Sequence, residues 1–139
     1  MSKFAGLYDI RLSTYEDKNF ILSTFLRGLY YGNSWFKLIP KDIFMKNYKV
    51  LANELVNGKK TIIKVACLKE DPSVILGYSI LSLDQRVISW VFVKSAWRGN
   101  GIAKSLLPDN PNSVSHLTGL GYELLSKFEN KPIFDPFTF

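Results

Sequence analysis

The chain has one cysteine and one histidine in 139 residues. A lone Cys67 excludes a disulfide within the chain, and no grouping of His, Cys, Asp or Glu has the spacing of a metal site. No apolar run reaches the length of about 18 residues that a membrane-spanning helix needs. The opening segment, MSKFAGLYDI, lacks the apolar stretch of a secretory signal. Arginine is scarce: fourteen of the eighteen basic residues are Lys and four are Arg. The net charge of +6 suits a polyanionic partner. However, the lysines are scattered (Lys41, Lys49, Lys60, Lys69), and base reading leans on Arg, so nucleic acid is disfavoured as a partner. Repeats, low-complexity stretches and interdomain linkers are also missing. The expectation is a cytoplasmic protein, monomer or homodimer, with residues 1–139 forming a single domain and no membrane partner.

What is present is 47% hydrophobic residues and a 14% aromatic share, enough for a well-filled core. The most informative stretch is Val87 to Leu107. A β-branched, aromatic-rich run ends at Val93, a short turn follows, and Arg98-Gly99-Asn100-Gly101-Ile102-Ala103 opens an amphipathic helix. Glycines where a strand hands over to a helix let the backbone approach a ligand. The first amides of the helix then point outward with the positive end of the dipole behind them, which suits a phosphate. The alternative is that Gly99 and Gly101 merely build a tight turn. A dinucleotide fingerprint would need a third glycine where Lys104 stands, and a Walker loop needs Gly-Lys-Ser/Thr, which is absent.

Around that stretch the pattern predicts further elements. Tyr8 to Leu12 is an edge strand. Ser13 and Glu16 have the form of a capping box, and Ile21, Phe25 and Leu29 mark a helix ending near Gly32. Pro40 opens a second helix, with Phe44, Tyr48, Leu51 and Leu55 on one face and Gly58 as its stop. Thr61–Leu68, Val74–Leu83 and Val87–Val93 form an antiparallel meander. The helix from Gly101 is cut off by Pro108. Ser113–Thr118 is a short strand, Leu120–Phe128 a helix and Pro132–Phe139 a last extended piece. The predicted order is β-α-α-β-β-β-α-β-α-β.

On this order, and on Arg98, Gly101 and Ala103 meeting the pattern Arg/Gln-x-x-Gly-x-Gly/Ala, the chain resembles the GNAT superfamily of N-acetyltransferases. The resemblance covers Tyr8 to about Phe128. It implies an α+β fold of three layers, a mixed, mostly antiparallel central sheet with helices on both faces. It implies acetyl-CoA as acyl donor, transferred directly to an amine of a small molecule or protein. The diphosphate would meet the amides of Arg98, Gly99, Asn100, Gly101, Ile102 and Ala103, with Lys104 and Ser105 close behind. The pantetheine arm would meet the main chain of Val91, Phe92 and Val93. Tyr122 would protonate the departing thiolate, and its other reading is core packing with the hydroxyl at the surface. His116 is the candidate base, since imidazole titrates near neutral pH, although a lone His is more often structural.

A dedicated base is not required. Deprotonating a lysine-like amine at pH 7 costs about 4.6 kcal/mol, and positioning two reactants supplies about 7–11 kcal/mol. Three features depart from the family. Ser89 stands where some relatives have an acidic base, Pro108 shortens the third helix, and Thr118 replaces the usual Asn. They leave open an alternative, a catalytically degenerate binding protein on the same scaffold that docks on or inhibits a macromolecule. Tyr30, Tyr31, Trp35 and Phe36 cluster where this fold places its acceptor; their other reading is core filling between the helices and the sheet, the reading favoured for Phe36.

Overall fold

The computed structural model describes residues 6–57, 59–116 and 118–137. Its strands are β1 (Tyr8–Leu12), β2 (Thr61–Leu68), β3 (Ile75–Ser82), β4 (Val87–Val93), β5 (Ser113–Val114) and β6 (Ile133–Phe134). Its helices are α1 (Lys18–Tyr31), α2 (Lys41–Asn57), α3 (Ile102–Leu106) and α4 (Gly119–Leu125). The order along the chain is the one expected from the sequence. Gly58, the expected stop of α2, lies outside the described residues, as do Thr138 and Phe139 of the expected last strand.

The strands lie side by side in sequential order. β1 to β4 pair antiparallel, whereas β5 runs parallel to both β4 and β6. Alternation along the strands divides the core into two layers. Ile63, Val65, Cys67, Tyr78, Ile80 and Trp90 face α1 and α2. Ala66, Leu76 and Val93 face Ile102 and Leu106 of α3, and Leu81, Ile88 and Val114 meet Leu107 and Leu125 nearby. β3 is covered on both faces, so its run ILGYSIL is buried throughout. Its polar member Ser79 donates to the Leu106 carbonyl at 2.8 Å, which satisfies one of the last carbonyls of α3. Among the described residues, no helix is long and apolar enough to cross a membrane.

Two expectations need correction. The helix start is capped one residue later than Ser13 and Glu16 suggest. Thr14 N–H donates to the Asp17 carboxylate at 2.7 Å, while Ser13 N–H extends the sheet to the Ile63 carbonyl. Asp17 wins because it also receives both guanidinium nitrogens of Arg11, at 2.7 and 3.0 Å. Hydrogen bonding from Arg11 holds the buried Asp17 carboxyl below the usual carboxylate range. Asp17→Ala removes a cap and strands a half-buried Arg11, and is expected to cost about 2 kcal/mol in a urea unfolding titration. An unshifted midpoint would remove Asp17 from the account of this corner.

The second correction concerns β5. It pairs with β4 only at Val87–Ser113 and Ile88–Val114. After the Ser115 amide bonds the Ile88 carbonyl, the chain turns away, because Thr118 must serve as N-cap of α4 and accept from the Gly121 amide at 3.1 Å. His116 therefore stands just past the strand, not in it.

Candidate functional site

The early end of β5 leaves β4 with one open side. Lys94 N–H donates to the Leu76 carbonyl on β3, and Phe92 lies opposite Tyr78 in the same register. By antiparallel alternation, the main-chain groups of Phe92 turn toward β3 and those of Val91 and Val93 turn toward the open side. A strand edge open inside a protein calls for a partner. The Val93 carbonyl has one, the Arg98 side chain, whose Nε donates at 2.9 Å.

β4 then leads into the turn singled out by sequence. Gly99 and Gly101 have φ of +78° and +82°, a conformation that glycine adopts freely. Gly101 is the N-cap of α3. The Arg98 amide is spent on the Ser95 carbonyl at 3.3 Å. Among the described residues, the amides of Gly99, Gly101, Ile102 and Ala103 donate to no main-chain carbonyl. A Cβ added at either glycine would meet nothing within 4 Å, so the outer side of the turn is open. The Asn100 side chain donates to the Arg98 carbonyl at 2.9 Å and braces the loop from within. Ser105 Oγ bonds the Gly101 carbonyl at 3.0 Å and pairs with the Tyr8 hydroxyl at 3.0 Å, tying α3 to β1. Lys104 is exposed on the same short helix. Amides with no main-chain acceptor, backed by Lys104 and Arg98, suit an anion.

The catalytic candidates fall in different surroundings. Tyr122 is exposed on α4, and its ring carries Lys131 Nζ at 4.4 Å. Its sequence reading as a core residue does not hold, because more than half of its surface is open. His116 is mostly enclosed. Its Nδ1 lies 2.9 Å from Ser115 Oγ, and its ring stands edge-on to Phe25 at 5.6 Å. Phe25 in turn stacks on Trp90 of β4 at 5.0 Å. Burial pushes the imidazole down to about 4, so it is neutral at pH 7. Ser115 is the last residue bonded to β4, which places His116 at the fork where β4 and β5 part. Ser89 is buried on β4.

Beside that fork lies a cavity of about 200 Å³. Leu29, Phe36, Leu51, Phe134 and Pro136 supply its apolar wall, and Asn33, Tyr48, Ser115 and His116 its polar atoms. Of the four aromatics clustered near the expected acceptor, only Phe36 lines it, although its favoured sequence reading is core filling. Tyr30 is buried, with its hydroxyl on the Ile39 carbonyl, and Trp35 is 75% exposed. Sequence reasoning missed Asn33, Tyr48, Ser115 and Phe134 as a group. They come from four separate stretches, and no local spacing joins them.

No protein-family model matches the chain, and no curated protein matches it. Solved structures do. A protein of Clostridium acetobutylicum assigned as an acetyltransferase, solved with acetyl-CoA, aligns with a TM-score of 0.59 at 18% identity, over 89% of this chain and 90% of its own. A Pyrococcus furiosus protein assigned as an acetyl transferase aligns with a TM-score of 0.57 at 20% identity, over 71% of this chain and 68% of its own. AAC(6')-Iy, in complex with the bisubstrate analog CoA-S-monomethyl-acetylneamine, aligns with a TM-score of 0.51 at 16% identity, over 89% and 92%. At such identities the likeness establishes the fold: this chain is built as those acetyltransferases are.

Proposed function

We propose that this protein is an N-acetyltransferase that moves an acetyl group from acetyl-CoA directly to an amine. The observation that carries the reading is the continuity of two open features. The side of β4 that turns away from β3 at Val91 and Val93, where only the Val93 carbonyl has a side-chain partner, leads into the turn. There the amides of Gly99, Gly101, Ile102 and Ala103 donate to no main-chain carbonyl among the described residues. An extended arm bearing amides suits the first, and a diphosphate suits the second. Acetyl-CoA joins both groups in that order, with its thioester at the far end. The arm would lie along Val91 and Val93, and the thioester would reach the fork at His116.

In the reaction the amine nitrogen attacks the thioester carbonyl carbon. The C–S bond then breaks, and the thiolate leaves with the electron pair. His116, neutral, can accept a hydrogen bond from the amine and hold its lone pair toward the carbonyl. Tyr122 would supply the proton that turns thiolate into thiol.

Calorimetric titration with acetyl-CoA tests the reading, followed by thiol release over a panel of amines. Binding and turnover are the expected results. Absence of heat and of any thermal shift at millimolar acetyl-CoA would sink the proposal. Tyr122→Phe is expected to lower kcat about tenfold with acetyl-CoA affinity unchanged. The effect is modest because a thiol with a pKa near 8.5 is already a fair leaving group near neutral pH. An unaltered kcat would take Tyr122 out of the mechanism.

A further inference from the structure

We infer that the amine acceptor is a small apolar amine of about one-ring size, held uncharged in the cavity between α1, α2 and the chain following β5. This rests on the acyl-transfer reading and adds the chemistry of the second substrate.

Three observations carry it. The first is place. His116 lines the cavity and also stands at the fork where β4 and β5 separate. A molecule in the cavity would therefore lie next to the point that the thioester reaches. The second is size. A cavity of roughly 150 Å³ holds one benzene, so about 200 Å³ admits one ring and a short arm, and is too small to enclose a sugar chain or a folded peptide. The third is charge. Among the described residues, no Asp or Glu lines the cavity. A bound cation would give up part of its hydration on a wall that offers neutral polar atoms and no carboxylate counter-charge, which favours the uncharged form. The low proton affinity of His116 reports the same environment, and burial alone causes it. Tyr48, the other titratable group on the wall, is likewise shifted toward its neutral form by burial.

The site thus favours the neutral amine, the form that attacks. Phe36 and Phe134 offer ring contacts, and Asn33, Ser115 and His116 offer polar atoms for one nitrogen. The amine nitrogen bonds the acetyl carbon as the C–S bond breaks. The nitrogen then gives up one proton and the thiolate takes one, leaving an amide and free CoA.

The test has two parts. Acetyl-CoA is first titrated alone, then thiol release is followed with benzylamine, 4-methylaniline, an aminosugar polycation and a lysine-containing peptide. The expected result is turnover of the two single-ring amines, at least tenfold higher in kcat/KM than of the polycation or the peptide. Leu51→Trp and Phe134→Trp fill the cavity from different walls, the second from a half-exposed position that tolerates bulk. Each should raise KM for benzylamine at least tenfold without changing acetyl-CoA affinity. Preference for the polycation or the peptide overturns the inference and leaves acyl transfer standing, as does an unchanged KM in both variants. Failure of acetyl-CoA to bind overturns the acyl-transfer reading itself, and is seen in the first titration before any amine is added.

Discussion

Gly101→Leu is expected to weaken acetyl-CoA binding at least a hundredfold, about 2.7 kcal/mol, while the protein stays folded. The two effects separate because of where the glycine sits. At φ +82° any L side chain is strained, by roughly 1–2 kcal/mol. Apart from its own chain neighbours, no described atom lies within 4 Å of the new Cβ, so the Cβ adds no clash to the strain. The leucine would instead occupy the outer side of the turn, in front of the amides of Gly101, Ile102 and Ala103. A diphosphate held by those amides must come within hydrogen-bond distance of them, and the isobutyl group stands in its path. Gly101→Ala shares most of the strain with little of the bulk. It should match the leucine variant in urea unfolding and fall between leucine and wild type in affinity. Calorimetry on the three proteins decides the matter. A folded leucine variant that binds acetyl-CoA like wild type would mean that the diphosphate lies elsewhere, and the proposed activity would lose its anchor.

The glycine pair was legible because its signal is local. The same holds for β2 and β4, whose bounds follow from β-branched runs closed by turn residues, and for β1, which rests on a weak alternation. What the sequence left hidden depends on partners far along the chain. Ser13-Glu16 and Thr14-Asp17 are equally good capping pairs by spacing. Arg11 on β1 selects the second, and Ser13 is drawn into the sheet by Ile63. The length of β5 was misjudged for a similar reason. Ser113 to Thr118 is compatible with a strand throughout, but only two of its residues find β4 beside them, and Thr118 is needed as a cap. That early parting opens β4 and brings His116 to the fork. The cavity was the least legible part, since its wall joins Leu29, Tyr48, His116 and Phe134 across more than a hundred residues.

His116 is expected to make the fold acid-sensitive in a window of its own. The imidazole has an ordinary value of 6.5 and falls to about 4 in the folded chain. Below pH 6.5 the unfolded chain takes a proton that the folded one refuses, so stability drops with falling pH. The drop ends near pH 4, where the folded form also protonates. Over about 2.5 units at 1.36 kcal/mol each, the loss is about 3 kcal/mol. Above pH 6.5 His116 contributes no slope. Asp17 acts in the same direction but lower, because the stability its depressed carboxyl provides is present above its unfolded value of 3.8 and is lost as pH falls below that. The two windows hardly overlap. His116→Gln keeps a polar side chain and cannot titrate. Urea unfolding at pH 7, 6, 5 and 4 should therefore show wild type losing about 3 kcal/mol more than the variant, nearly all of it between pH 6.5 and 4. Parallel curves would mean that the imidazole is protonated as readily in the fold as out of it. The neutral acceptor at the fork, and with it the uncharged cavity, would then be wrong.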